Sequence, residues 1–162
     1  MALRRILVAE DSEDDIFLLK RAFRKAKLRA DIHFVADGQE AIDYLCGTGE
    51  FSKRESFPLP SMLLVDLKMP RRNGFDVIAW VREKPGVRLL PVVVLSSSAE
   101  PRDVERAYDL GANSYLVKPS DLDDLEKIAE KVGDYWCCVN LAPPIDAPPG
   151  SEKPKSRHKT SH

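Results

Sequence analysis

Cysteine, histidine and net charge are all scarce in this sequence. Its three cysteines, Cys46 and the adjacent pair Cys137 and Cys138, make neither a disulfide framework nor a CxxC metal spacing. That excludes a disulfide-stapled secreted domain and points to a reducing, cytoplasmic setting. The histidines, His33, His158 and His162, give no ligand spacing and no base beside a nucleophile. Lys plus Arg number 25 against 26 Asp plus Glu, a net charge of −1, so nothing global draws the chain to nucleic acid or to an anionic membrane. No apolar run approaches the ~20 residues of a membrane span. The run Ile6-Leu7-Val8-Ala9, closed by Glu10, is too short for a signal-peptide core. The expected protein is soluble and cytoplasmic, with neither nucleic acid nor membrane among its partners.

The chain does have enough apolar material for one core: 43% hydrophobic against 31% charged over 162 residues. The continuous runs Ile6 to Ala9, Met62 to Val65 and Val92 to Leu95 are too short for helices and rich in branched residues. Such runs read as parallel strands covered on both faces. Residues 31–36 and 114–117 complete a set of five strands. Helical patterns alternate with them. Ile16, Leu19, Phe23 and Ala26 step by three and four after Ser12; the next covers residues 38–45; a third spans residues 74–82 with Asn73 as its cap. A fourth opens at Pro101 and ends at Gly111, and the fifth opens on Ser120 and Asp123 in capping spacing. Strict alternation of strand and helix predicts an α/β fold, a doubly wound five-stranded parallel sheet with five helices. Residues 47–60 carry Gly, Pro and mixed charge without periodicity and read as a long loop. From Pro143 the chain holds five prolines, and residues 151–162 hold four basic residues and one acidic, so residues 143–162 read as a disordered Pro-rich basic tail.

The functional signal lies at the carboxyl ends of the strands: Glu10 and Asp11 after the first, Asp66 after the third, Ser96 after the fourth, Lys118 after the fifth. Ligands in open α/β sheets bind beyond those ends, so these residues should share one crevice. Carboxylates brought together repel, by about 4 kcal/mol for two charges 4 Å apart at an effective dielectric of 20. A cation is required among them, and hard oxygen ligands favour Mg²⁺. A carboxylate flanked by Mg²⁺, an ammonium and a hydroxyl is equipped to receive a phosphoryl group. Asp66, alone at its strand end, is the candidate nucleophile, with Glu10 and Asp11 as the metal-binding pair. The product is an acyl phosphate.

These residues resemble the receiver domains of two-component response regulators. The resemblance rests on Val8-Ala9-Glu10-Asp11, Leu64-Val65-Asp66-Leu67-Lys68-Met69-Pro70, Pro91-Val92-Val93-Val94-Leu95-Ser96 and Gly111-Ala112-Asn113-Ser114-Tyr115-Leu116-Val117-Lys118-Pro119. It implies a flavodoxin-like fold over residues 1–142. It also implies that Asp66 accepts phosphoryl from a sensor histidine kinase, with Mg²⁺ on Glu10 (through water), Asp11, Asp66 and the Lys68 backbone carbonyl. Ser96 and Tyr115 become the switch pair, Lys118 the phosphoryl-binding ammonium, and the Lys118–Pro119 bond is expected to be cis. Lys68 and Ser98, each two residues past a site residue, fall where members of this family tune access of hydrolytic water. The protein so described is a phosphoacceptor that assists its own phosphorylation and dephosphorylation rather than an enzyme.

No DNA-binding output unit is expected in the two dozen residues after the fifth helix, so output runs through a protein contact or a downstream phosphotransfer protein. The loop at residues 47–60, the start Asp37-Gly38-Gln39-Glu40 and the ending Tyr135-Trp136-Cys137-Cys138-Val139 are similar to the small regulators partnered with bacterial phytochrome histidine kinases. Tyr135, Trp136 and Val139 extend an apolar stripe past what one sheet face buries, which gives a dimer contact and a homodimer. The rival to this reading is a degenerate receiver acting as a phosphorylation-independent interaction module.

Overall fold

The structure is a computed structural model that describes residues 4–149. Five strands, β1 (Arg4–Ala9), β2 (Ala30–Val35), β3 (Met62–Val65), β4 (Val92–Ser96) and β5 (Ser114–Val117), form one parallel sheet in the order β2-β1-β3-β4-β5. Five helices alternate with them: α1 (Glu13–Ala26), α2 (Gly38–Cys46), α3 (Gly74–Glu83), α4 (Pro101–Leu110) and α5 (Leu122–Gly133). The fold is the doubly wound α/β arrangement that the alternation predicts.

The continuous apolar runs have the expected cause. Leu7, Ala9, Leu63, Val65, Val92 and Val94 face a core shared with α2, α3 and α4, while Ile6, Val8, Met62, Leu64, Val93 and Leu95 face a second core shared with α1 and α5. Each of these residues is at most 2% exposed, so a polar substitution on either face would strand an unpaired group. β2 lies at the sheet edge, and its burial is correspondingly incomplete.

Local chemistry sets where the helices start. Ser12 caps α1 by accepting from Asp15 N–H, Asp37 caps α2 by accepting from Glu40 N–H, and Asn73 with Asp76 makes a reciprocal capping box on α3. α5 departs from expectation. Its cap is Asp121, which accepts from Asp123 N–H, and not Ser120. Ser and Asp cap about equally well, and it is Asp121 whose extended backbone, φ −96° and ψ 132°, leads directly into the helix.

Residues 47–60 are packed rather than loose. Gly49–Phe51 forms a 3-10 turn, and Phe51 and Phe57 stack with Tyr44 and His33, with ring centroids 5.1–6.0 Å apart. The Arg54 guanidinium donates to the carbonyls of Tyr44 and Leu45 at 2.7 and 2.6 Å, satisfying the end of α2.

After α5 the chain makes a π-helical segment, Asp134–Val139, and then runs without regular structure. The expected disorder from Pro143 does not hold for residues 143–149. Ile145 packs against the α2, α3 and α4 core, and Asp146 N–H donates to the Gly86 carbonyl at 2.9 Å. Gly86 has φ +94°, and a Cβ there would crowd the Asp146 and Ala147 carbonyls. Apolar Ile145 among the prolines is the feature that composition hides. Residues 150–162, the rest of the expected tail, lie outside the described residues.

Candidate functional site

Parallel strands of one sheet end on one edge, so residues distant in sequence meet there. β1 delivers Glu10 and Asp11, β3 delivers Asp66, β4 delivers Ser96 and β5 delivers Lys118. One carboxylate oxygen from each of Glu10, Asp11 and Asp66 lies within 4.8 Å of the others. The Lys118 ammonium donates to Glu10 Oε2 at 2.8 Å and to Asp66 Oδ2 at 3.2 Å. It also donates to Asp15 Oδ2 at 2.8 Å, a residue absent from the predicted site. Asp15 stands four residues after Asp11 in the first turn of α1, so a helix starting at Glu13 folds it back over the strand ends. That phase is the signal that could have found it.

Burial differs among these groups. Glu10 is 2% exposed and Asp66 8%, while Asp11 is exposed. Burial pushes the Glu10 carboxyl up to about 7, against the opposing hydrogen bond from Lys118 and with the Asp66 charge adding to the rise. Burial acts on Lys118 in the opposite sense, but its bonds to Asp15 and Glu10 outweigh it and hold the ammonium above the ordinary lysine range. Three carboxylates thus share one ammonium, and a fourth, Asp11, stands beside Glu10 and Asp66 without a bond to it. An all-oxygen donor set with excess negative charge, half buried and half open, suits a divalent cation such as Mg²⁺ or Mn²⁺.

A raised carboxyl binds more protons folded than unfolded, so the Glu10 contribution to stability falls as pH rises from 4.5 toward about 7. Cation binding competes with that proton. Mg²⁺ affinity measured by calorimetry is therefore expected to rise about tenfold between roughly pH 6 and pH 8. A flat profile would show that Glu10 is already ionised at the lower pH.

Ser96 is 1% exposed, and its hydroxyl accepts from Ser98 N–H at 3.2 Å. Tyr115, half-buried on β5, donates its hydroxyl to the Ser98 carbonyl at 2.8 Å. Ser98 Oγ donates to Asp103 Oδ2 at 2.6 Å, in the first turn of α4. The predicted switch residues are thus joined through Ser98. Lys68, exposed, lines with Asp11, Met69, Phe75 and Arg106 an open cleft of about 540 Å³ beside the cluster.

The Lys118–Pro119 bond is not cis: no peptide bond among the described residues is. Lys118 N–H donates to the Ser96 carbonyl at 2.8 Å, which sets its place at the sheet end with the bond in its ordinary trans form. Tyr135, Trp136 and Val139 lie far along the chain from the site, on the π-helical segment. Trp136 is half-buried against the α1 and α5 core, with Tyr135 edge-on to it at 4.9 Å. Tyr135 and Val139 are exposed.

Comparison with known proteins agrees with this geometry. The family model for the response regulator receiver domain matches residues 6–130. The probable methanogenesis regulatory protein FilR2 of Methanothrix harundinacea is 35% identical over 138 residues, 85% of this chain and 86% of that one. Response regulator Rcp1 of Synechocystis is 33% identical over 131 residues, 81% of this chain and 87% of that one. The crystal structure of its Mn²⁺-bound form superposes with a TM-score of 0.77, at 31% identity over 86% of this chain and 99% of that one. RPA3017, a response regulator in red light signaling of R. palustris, superposes with a TM-score of 0.82, at 36% identity over 87% of this chain and 99% of that one. With the sheet order, the strand-end acidic cluster and the family match in agreement, the chain belongs to the response regulator receiver domain family.

Proposed function

We propose that this chain takes a phosphoryl group from a sensor histidine kinase onto Asp66 and passes the signal on through a changed protein surface. The observation that carries the reading is Asp66 itself. It is buried at a strand end, within 4.8 Å of the Glu10 and Asp11 carboxylates, and shares the Lys118 ammonium with Glu10. An Asp66 carboxylate oxygen attacks phosphorus, the P–N bond to the kinase histidine breaks, and that nitrogen keeps the electron pair. The result is an acyl phosphate on Asp66 and a free imidazole.

Glu10 (through water), Asp11, Asp66 and the Lys68 carbonyl would hold Mg²⁺, which offsets charge on the transferring oxygens. Lys118, already on Asp66 Oδ2, neutralises a phosphoryl oxygen. Ser96 donates its hydroxyl to another and gives up the Ser98 N–H. Tyr115 then leaves the Ser98 carbonyl and turns inward, and the surface of α4 and β5 changes. The same charge-stabilising groups assist water in hydrolysing the acyl phosphate, which returns the chain to its resting state.

The likeness to the bacteriophytochrome response regulators RtBRR and AtBRR, at 37% and 35% identity, supports a bacteriophytochrome as the kinase. Phosphotransfer from an autophosphorylated bacteriophytochrome kinase, tracked by radiolabel, tests it. Label should pass to this chain within minutes. Label kept on the kinase, while a small phosphodonor still loads Asp66, would sink the partnership and leave the phosphoacceptor role standing.

Tyr135 and Val139 are half or more exposed beside half-buried Trp136, which supports a homodimer through the π-helical segment. Sedimentation at tens of micromolar should give a dimer that Tyr135→Glu splits; a monomer with and without a phosphoryl mimic would rule it out. No helix among the described residues is long and apolar enough to cross a membrane. The proposed setting is the cytoplasm, with a downstream phosphotransfer protein or a protein contact as recipient.

A further inference from the structure

Residues 66–73 join β3 to α3 and contain both the phosphoacceptor and the Lys68 carbonyl assigned to the cation under the proposed function, a reading on which this inference rests. Backbone bonds fix the two roots of the loop. Asp66 N–H donates to the Ala9 carbonyl and Gly74 N–H to the Leu67 carbonyl, both at 3.0 Å. The crest between them belongs to no strand or helix. There Arg71 has φ 61°, the left-handed region that side-chain-bearing residues avoid. A turn bond from Arg72 N–H to the Pro70 carbonyl at 2.7 Å accompanies it.

The contact that holds this conformation is a two-pronged ion pair. Arg71 Nε donates to Asp37 Oδ2 at 2.8 Å and Arg71 Nη2 to Asp37 Oδ1 at 3.1 Å. The planar guanidinium fits the carboxylate with two bonds, which a lysine ammonium does not reproduce. Asp37 is itself immobilised: it is 9% exposed, and its Oδ1 caps α2 by accepting from Glu40 N–H at 2.8 Å. Burial tends to raise the Asp37 carboxyl, but the Arg71 fork and the α2 amides outweigh it and keep it charged. The start of α2 meets the loop twice more. Gly38 N–H donates to the Arg72 carbonyl at 3.1 Å, in a contact too close for a Cβ at Gly38, and Arg72 Nε donates to Gln39 Oε1 at 2.9 Å.

A capped α2 requires only an acceptor at Asp37, and it does not require Arg71. The fork thus ties a buried, rigid helix start to the crest of the loop that borders the acidic cluster. We propose that Asp37 and Arg71 are a positioning pair for the acidic site, fixing the loop crest and through it the Lys68 carbonyl where a divalent cation uses it.

Three variants separate this from a merely structural role. Arg71→Gly removes the fork and relieves the backbone, Arg71→Lys keeps the charge without the fork, and Asp37→Asn keeps an α2 cap while discharging the pair. In metal-free protein, amide hydrogen exchange at Lys68, Met69, Arg71, Arg72 and Asn73 is expected to quicken several-fold in all three, with α3 protection unchanged. Mg²⁺ titration by calorimetry should show affinity lowered by about tenfold, the range seen when a group that orients a metal ligand is lost. Loop exchange and Mg²⁺ affinity both within twofold of wild type in the two Arg71 variants would overturn the proposal. Wild type that binds Mg²⁺ but never takes phosphoryl overturns the phosphoacceptor function and not the fork; wild type that binds no Mg²⁺ overturns both.

Discussion

Lys118→Met is expected to lower stability by about 3 kcal/mol at neutral pH in metal-free buffer, the cost of stripping the partner from buried charges. For a chain of this size that is a fall in melting temperature of roughly 6–12 °C. The reason is local. Lys118 donates at once to Glu10, Asp15 and Asp66, with Asp11 beside them. Without the ammonium, Glu10 and Asp66 face each other in a poorly solvated pocket. Lost packing alone would not produce either of two further effects. The deficit should shrink toward about pH 5, below the raised Glu10 value of about 7, where Glu10 takes up a proton. Mg²⁺ should also raise the melting temperature of the variant more than that of wild type, since the cation replaces a missing positive charge. Equal deficits at pH 5 and pH 8, unmoved by Mg²⁺, would show that the methylene stem and not the charge is what the fold needs.

Asp66→Asn should abolish phosphoryl incorporation from a small phosphodonor, by at least about a hundredfold, because a carboxamide oxygen is a poor nucleophile and forms no stable acyl phosphate. The variant should fold. Asp66 Oδ1 accepts from Leu67 N–H at 2.7 Å, a bond that an amide oxygen also makes, and Lys118 keeps Glu10 and Asp15. Glu10→Gln should behave differently, with incorporation recovered at high Mg²⁺, since Glu10 serves the cation and not the bond that forms. Incorporation by Asp66→Asn at the wild-type rate would move the phosphoacceptor to another carboxylate.

Most of the site was legible because a parallel sheet turns sequence order into convergence. Once Ile6 to Ala9, Met62 to Val65 and Val92 to Leu95 are strands, Glu10, Asp11, Asp66 and Ser96 must meet at one edge. Asp15 escaped because its place depends on the phase of α1, which its cap at Ser12 decides and apolar spacing does not. The Asp37–Arg71 fork escaped for a related reason: it needs Arg71 in a left-handed conformation that no local pattern marks. Ser120 misled because Ser and Asp are near-equal caps and only the backbone chooses between neighbours. The trans Lys118–Pro119 bond and the ordered Ile145 are tertiary outcomes, set by the β5 register and by an apolar recess beside Gly86.

The strand-end cluster is expected to load a phosphoryl group on Asp66 with help from a divalent cation. The experiment is intact-mass spectrometry of the wild-type chain after incubation with a small phosphodonor and Mg²⁺, beside a chelated control. A gain of one phosphoryl mass, absent with chelator and mapped to the peptide containing Asp66, is the expected result. No gain under donor excess, in a chain shown to bind Mg²⁺, would contradict it and leave the cluster as part of an interaction module without the chemistry.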